Sequence, residues 1–566
     1  MLAEPPPSER PWQKTRFRAP RADDSHIAIP PLSEAAQLAR SNKAALQSVD
    51  RCLQGRSLSQ LREWSRREIY RAAESYTREL LGADAASHLC GPDLENCPQA
   101  PWYVSGHQPI LFHPGVWVKN FVTAKLASSC GIGINLVVDN DTLSATSIRV
   151  PAGSAESPRI ELVPFDDPRP TQPWEEVRIL NRDLFRSFPD RVESALADRN
   201  LRPMLHEFWQ VAVQHAEKND RLSDVLTAAR ATTERRWGAG NLELPLSRLC
   251  RLDPYLWFSS HILAHLPRFH AIYNEVLGEY RAVNGIRSRR HPVPDLAIRE
   301  NWFEAPFWIW RAGDRIRRRL FARQEERDVL LSDGAETIGR LPISPEREAC
   351  CAVEALREMQ EAGWRFRTRA LTTTLFSRLC LADLFLHGLG GAKYDEMTDR
   401  LISRFFSLPV PDFLMLSGTV RLPMESHPVD EGDVQRLRRQ LRELEFHSER
   451  YLPLSRVDDT RELVEEKQRL VAFQQVVSAR RRGESVHWNA GEAPEGYDRF
   501  RRLQDVNRSL SRFTQRERED LLMELTRTQS QLAANGILRD REYAFCLFPA
   551  EKLQRFMNDV CSAVGT

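Results

Sequence analysis

The sequence has no Cys-x-x-Cys pair: its ten cysteines lie scattered at 52, 90, 97, 130, 250, 350, 351, 380, 546 and 561. That spacing fits neither a zinc knuckle nor a disulfide framework, so reduced thiols are expected. A charge of one sign is also missing. With 80 Lys and Arg against 78 Asp and Glu, net +2, no field is strong enough to make nucleic acid or an anionic membrane the partner. Long apolar runs are absent as well. No window approaches the ~18 uninterrupted apolar residues of a membrane span, and the opening MLAEPPPSERPWQKTRFRAPR lacks the apolar centre of a secretory signal. A cytoplasmic protein that acts on a small molecule is the expectation.

A chain of 566 residues exceeds the roughly 250 to 300 at which single cores stop growing, so several packed units are expected. Residues 1–30 hold Pro5, Pro6, Pro7, Pro20 and Pro30 among charges and read as a flexible arm. Residues 31–150 read as helices followed by the first half of a core, with Leu53, Leu58, Leu61, Trp64 and Ile69 at helical steps. Within that stretch Trp102-Tyr103-Val104 reads as a buried strand, 115–126 as an apolar helix and 133–138 as a second strand, the pattern of a βαβ unit.

Residues 151–365 read as a connective or substrate-binding insertion, with a helix over 255–281 and a tryptophan-rich strand over 303–310. A second half of the core is expected over 366–427. Its Phe413-Leu414-Met415-Leu416 is an uninterrupted apolar strand of the parallel-sheet kind, expected to rejoin the first sheet. Over 428–540, Val434, Leu437, Leu441 and Leu444 step 3-4-3, Leu463, Leu470 and Val477 step by sevens, and Leu503, Val506, Leu510 and Phe513 step 3-4-3. That spacing predicts an antiparallel coiled-coil arm, broken between Gly483 and Gly496, through which two copies can pair. A solvated bundle without a partner is its rival. Residues 541–566 are expected to return to the core, with Tyr543–Phe548 as a last strand.

The chemistry concentrates at three places. In the first, Ser105-Gly106-His107-Gln108-Pro109 reads as a turn after a buried strand, and His113-Pro114-Gly115 opens the following helix, which carries Lys119. Helix starts offer unpaired N–H groups to phosphate or carboxylate; His107 can exchange protons near neutral pH and Gln108 can fix a polar ligand. His113-Pro114-Gly115 also resembles the His-x-Gly-His signature of nucleotidyl transferases, except that Val116 stands where the last histidine belongs. Local capping and packing is the alternative for both histidines.

In the second, Val137-Val138-Asp139-Asn140-Asp141 ends an apolar strand with two carboxylates that strand alternation would point together, able to bind an ammonium, hold Mg²⁺ or act as a base. An Asx turn is the alternative. In the third, Gly388-Leu389-Gly390-Gly391-Ala392-Lys393-Tyr394 opens another helix, where glycines admit a phosphate or sugar to the backbone and Lys393 and Tyr394 stand at the rim. It lacks the Lys-Ser/Thr of a Walker loop. Three further signals have structural readings instead: His88, Cys90 and Cys97 are wrongly spaced for zinc, Arg315, Arg317, Arg318 and Arg319 read as a solvated run, and Trp302, Trp308 and Trp310 as core filling.

Gly106-His107-Gln108 with Leu111-Phe112, then Asp139-Asn140-Asp141, then Gly390-Gly391, followed by a late coiled-coil stretch, resemble the bacillithiol biosynthesis cysteine-adding enzyme family. In that family a Gly-Gln-Gln turn precedes Leu-Phe, a Glu-Asp-His-Asp segment ends the next strand, and Gly-Gly-Pro begins a later helix. Here His107 replaces a glutamine, Asn140 the histidine, and Ala392 the proline.

The resemblance implies an α/β fold: a Rossmann-like parallel-sheet core with helical insertions and a C-terminal antiparallel coiled-coil arm that dimerises. It also implies a ligase joining cysteine to a sugar-linked amine, with ATP or ADP and Mg²⁺ as partners in the reaction. On that expectation His107, Asp139 and Asp141 carry catalysis, and Gly106, Gln108, His113, Gly115, Lys119, Asn140, Gly388, Gly390, Gly391, Lys393 and Tyr394 bind substrate or nucleotide. No resident metal site is expected. A nucleotidyl transferase and a catalytically silent dimeric scaffold are the alternatives.

Overall fold

Ile132–Val137 is apolar on both faces apart from Asn135, and every residue in it is buried. A strand of that kind belongs inside a parallel sheet covered on both sides. The computed structural model describes residues 12, 17–82, 99–452, 457–482 and 496–565. The sequence signals at His88, Cys90 and Cys97 lie outside these residues, as does most of the expected break between 483 and 496.

Two compact units emerge: Met1–Ala152 with Ile160–Pro423 and Arg541–Thr566, and Gly153–Arg159 with Met424–Asp540. In the first, the strands that build its two larger sheets are, in chain order, β1 (Ser25–Ile29), β2 (Trp102–His107), β3 (Ile132–Val137), β4 (Leu242–Pro245), β5 (Trp302–Arg311), β6 (Arg318–Glu325), β7 (Asp328–Ser332), β8 (Thr337–Leu341), β9 (Trp364–Thr368), β10 (Leu384–His387) and β11 (Phe413–Thr419).

Six of them form a sheet in the order β1-β11-β10-β2-β3-β4. Neighbours from β11 to β4 pair in parallel, and β1 closes the edge antiparallel, Ile27 opposite Ser417. The sheet is therefore mixed and not purely parallel, and Ser25–Ile29, read from composition as part of a flexible arm, is a strand. A proline-rich flank hid a five-residue segment whose hydrogen bonds come from a partner almost 400 residues away. Strand β11 rejoins the first sheet as expected. After β1 at the edge, the chain enters the middle at β2, runs outward to β3 and β4, and later returns on the other side at β10 and β11.

Three helices matter for the site. Helix α1 (Leu58–Leu81) begins with a Ser57–Gln60 capping box and sends Arg62 and Arg66 to Asp383 at 2.8 and 2.7 Å. Helix α2 (Pro114–Ala127) connects β2 to β3. His113 caps it, Nδ1 accepting from Gly115 N at 3.1 Å, and Pro114 sits in its first turn, where a missing N–H costs nothing. Trp117, Val118, Phe121, Val122 and Leu126 bury it almost all round. Helix α3 (Leu389–Leu401) follows β10 directly, with Gly388 as an N-cap that has no side chain to close it.

The second sheet, β8-β7-β6-β5-β9, is antiparallel throughout. Only its tryptophan strand was legible in advance. The helix expected over 255–281 is two helices, Asp253–Ala264 and Leu266–Asn284, because Pro267 cannot donate the amide that would continue the first. Tyr543–Phe548 is not a strand but carries a short 3₁₀ turn, Phe545–Leu547. Phe545 N bonds to Phe112 O at 2.8 Å, and its ring lies 4.3 Å from that of Trp117, so side-chain packing holds the segment.

The second unit consists mainly of helices Glu431–Phe446, Val457–Arg481, Gly496–Ser511 and Gln515–Leu538. Leu470, Val506 and Leu510 form a buried cluster with Leu463 and Leu503 against it. Asn535 Nδ2 ties the last helix to His427 O at 2.9 Å. Among the described residues no helix is long and apolar enough to cross a membrane.

Candidate functional site

In open α/β sheets ligands sit beyond the carboxyl ends of the strands, where neighbouring connections depart in opposite directions. Here that place lies between β2 and β10, and a cavity of about 790 Å³ opens there. Gly106, His107 and Gln108 from the end of β2, Asn140 and Asp141 after β3, and Gly388, Gly390, Gly391, Lys393 and Tyr394 after β10 all line it. His113, Gly115 and Lys119 from α2 join them. The structure thus brings together every sequence-derived candidate except one.

The exception is Asp139. Strand β3 stops at Val137, so the alternation that would have aligned two carboxylates no longer applies. Asp139 turns inward, 2 % exposed. Its Oδ1 accepts from Ser247 N at 2.9 Å and its Oδ2 from Ser247 Oγ. Burial, then the neighbouring Glu175, pushes its carboxyl up to about 7. Its carboxylate is taken up by Ser247 and does not line the cavity.

Asp141 faces the cavity. Its Oδ2 accepts from Gln108 Nε2 at 2.9 Å, and its Oδ1 lies 3.2 Å from Arg317 Nη2. Asn140 Nδ2 donates to Thr368 O at 2.7 Å, and Arg317 Nη1 to Asn140 O at 2.7 Å. The post-β3 loop is therefore pinned to the second sheet.

Gly106 is not in a turn. It belongs to β2, opposite Leu136, and a Cβ there would press on Leu136 O at 3.1 Å. Lys119 Nζ donates to Gly106 O at 3.0 Å. The side chain is buried, 3 % exposed, and burial lowers its pKa to about 8. His107 is held at about 3 by burial, with Lys119 adding to it. An imidazole held that low is neutral near neutral pH and offers hydrogen bonds to the cavity it lines.

His113 works as a helix cap. Gly115 is required by packing, since a Cβ would fall 2.1 Å from Gly418 O on β11. Gly390, by contrast, has open space where a Cβ would stand, which leaves the first turn of α3 accessible to a ligand.

Sequence reasoning missed several walls of this cavity. Trp308, read as core filling, lines it, with the Arg369 and Arg317 guanidinium carbons 4.2 and 4.7 Å from its ring centroid. Arg317 came from a run read as solvated. Arg369, whose Nη1 pairs with Glu304 at 2.8 Å, Arg541 and His387 were not singled out. His387 could have been found: it ends an apolar strand immediately before a glycine-opened helix, the position at which β2 also carries a histidine. The arginines could not, because they reach the cavity from the other sheet and from a segment more than 120 residues further on.

Lys119, Lys393, Arg317, Arg369 and Arg541 line the cavity against two acids, Asp141 and Glu542. That excess of cations, with two helix N-termini, favours an anionic ligand. Among the described residues no group of three or more His, Cys, Asp or Glu is placed to hold a metal ion. Compared with protein-family models and with curated proteins, the chain matches none.

Proposed function

We propose that this chain is a ligase that forms a carbon–nitrogen bond, similar to the cysteine-adding enzyme of bacillithiol biosynthesis. An amino acid carboxylate, cysteine or an analogue, is activated by ATP, and a sugar-linked amine displaces the phosphate-bearing leaving group to give an amide. The observation that carries this reading is the convergence of 106–108, 140–141, 388–391 and 393–394 on one cavity at the point where the strand order reverses. We read the order β4-β3-β2-β10-β11 as a Rossmann-like core, which seats nucleotides at that reversal.

The cationic lining and the open first turn of α3 suit the phosphates. Asp141, its side chain 39 % exposed, suits an ammonium, and holding both substrates in one cavity can supply several kcal/mol of the barrier reduction through effective concentration. For Mg²⁺ the lining offers Asp141, engaged by Gln108 and Arg317, and Glu542. That donor set fits a cation carried in on nucleotide phosphates better than a resident one. We read the helices over 431–538 as a coiled-coil arm that pairs two copies.

Thermal-shift measurements with ATP, cysteine and glucosaminyl malate test the reading, together with mass-spectrometric detection of the amide. Joint stabilisation and amide formation are expected. Stabilisation by nucleotide alone would point to a nucleotidyl transferase, and none at all to a scaffold.

A further inference from the structure

His387 ends β10 with its ring against the cavity, 7 % exposed. Phe385 and Phe413 flank it, ring centroids 4.5 and 5.0 Å away. Its Nε2 stands 3.0 Å from Asp395 Oδ2, a close contact without hydrogen-bond geometry. Asp395 lies on α3, two turns along from His387, and is fully buried. Burial would raise its pKa, but Arg378, 2.6 Å away, and His387 hold it down to about 2. Arg378 is itself fixed by Asp399 at 2.6 Å and by Pro411 O. An ionised carboxylate is therefore locked behind one face of the imidazole.

The other ring nitrogen faces Gly391. A Cβ on that residue would fall 2.6 Å from His387 Nδ1. The second glycine of the pair thus makes room for an imidazole at the first turn of α3. The arrangement is an acid-backed histidine: a carboxylate oxygen 3.0 Å from Nε2 of a cavity-lining imidazole favours the Nε2–H tautomer, which makes Nδ1 the acceptor. Neither His387 nor Asp395 is among the groups proposed to hold the ligase substrates.

We propose that His387 is the general base of this site, a catalytic residue whose Nδ1 accepts the proton of the attacking nucleophile, and that Asp395 is its positioning residue. The inference rests on the ligase reading only for the identity of that nucleophile. In that reaction the amine nitrogen attacks the acyl carbon of an acyl phosphate or acyl adenylate. The C–N bond forms, the acyl C–O bond breaks with its electron pair leaving on phosphate, and the N–H proton passes to His387 Nδ1. The resulting imidazolium is stabilised by Asp395. The charged groups around the ring are Asp395 with its partner Arg378 on one side and, across Gly388, Lys119, whose Nζ lies 4.0 Å from where a Cβ on that glycine would stand.

The test has two independent arms, both on the full chain. In the first, ¹⁵N-histidine NMR, with the signal assigned by its loss in His387→Gln, reads the tautomer directly. An Nε2–H tautomer with an unprotonated Nδ1 is expected, and a proton resident on Nδ1 at neutral pH would overturn the proposal. In the second, the amide-forming assay compares variants. His387→Gln keeps the Arg378–Asp395 pair, so its Tm should stay near wild type while kcat falls about 100-fold or more with KM little changed. Asp395→Asn should lower kcat and move the pH profile of kcat, which a purely structural loss would not. Should wild type form amide and His387→Gln retain its kcat, the base assignment falls and the ligase reading survives. Should wild type form no amide, the ligase reading falls and the tautomer alone decides the base.

Discussion

Gln108 Nε2 donates a hydrogen bond of 2.9 Å to Asp141 Oδ2, joining the segments that follow two adjacent parallel strands in the lining of the cavity. The same carboxylate meets Arg317 at 3.2 Å, so one exposed acid is oriented by an amide from its own sheet and a guanidinium from the other.

Asp141→Asn keeps the shape and removes the charge. Turnover in the amide-forming assay is expected to fall by about 100-fold or more, as misplacing a substrate group does. Because the pair is partly exposed, the change in unfolding free energy should stay below about 1 kcal/mol. Kinetics together with a urea melt check this, and unchanged turnover would remove Asp141 from the mechanism.

Gly115→Ala tests the close approach of α2 to β11. A methyl group placed 2.1 Å from the Gly418 carbonyl must push helix and strand apart, and the expected loss is on the order of 1–3 kcal/mol, or more because the neighbour is backbone. Chemical denaturation reads it; wild-type stability would show that the helix can move freely.

Asp139 makes stability depend on pH. Its folded pKa of about 7 lies above the unfolded value of about 3.9, so the folded state binds more protons between those limits. Stability from this group is present below about pH 4 and lost as pH rises through 7. Asp139→Asn can still accept from Ser247 N while its amide donates to Oγ. The variant should therefore lose that slope and be the more stable protein at pH 8, by a few kcal/mol at most. Urea midpoints from pH 4 to 8 measure it, and parallel curves for both proteins would refute the assignment.

Lys119 works in the opposite sense. Burial lowers its pKa to about 8, below an unfolded value of about 10.4, so the unfolded chain binds the extra proton. Its stability contribution is present above about pH 10 and lost as pH falls through 8. At pH 7 Lys119→Met should be more stable than wild type, since an apolar side chain of similar length replaces a buried charge. ATP binding, followed by calorimetry, should weaken about tenfold or more as the cation is removed. Equal affinity would mean that this ammonium does not meet the phosphates.

Much of the core was legible because local rules fix it. The apolar run of β3, the Pro114 helix start and the apolar 413–416 strand each declare a parallel α/β element, and the glycines from 388 to 391 mark where a strand gives way to a helix. Local rules fail where a partner lies far off in sequence. Ser25–Ile29 becomes a strand through β11, Asp139 and Asp141 part company because β3 ends two residues before the first of them, and Tyr543–Phe548 is held by Trp117 and Phe112.

Sequence alone, then, determined the central strands at 102–104, 133–138 and 413–416, the helix between the first two and the segments that carry glycine and charge, because backbone sterics and burial act over a few residues. Only the tertiary structure decided which side chains share the cavity. Arg317, Arg369, Trp308, His387 and Arg541 arrive there from both sheets and a distant segment, and Asp139 leaves it for Ser247. Electrostatics and packing act through space, and the distances that matter are those between elements that no sequence spacing measures.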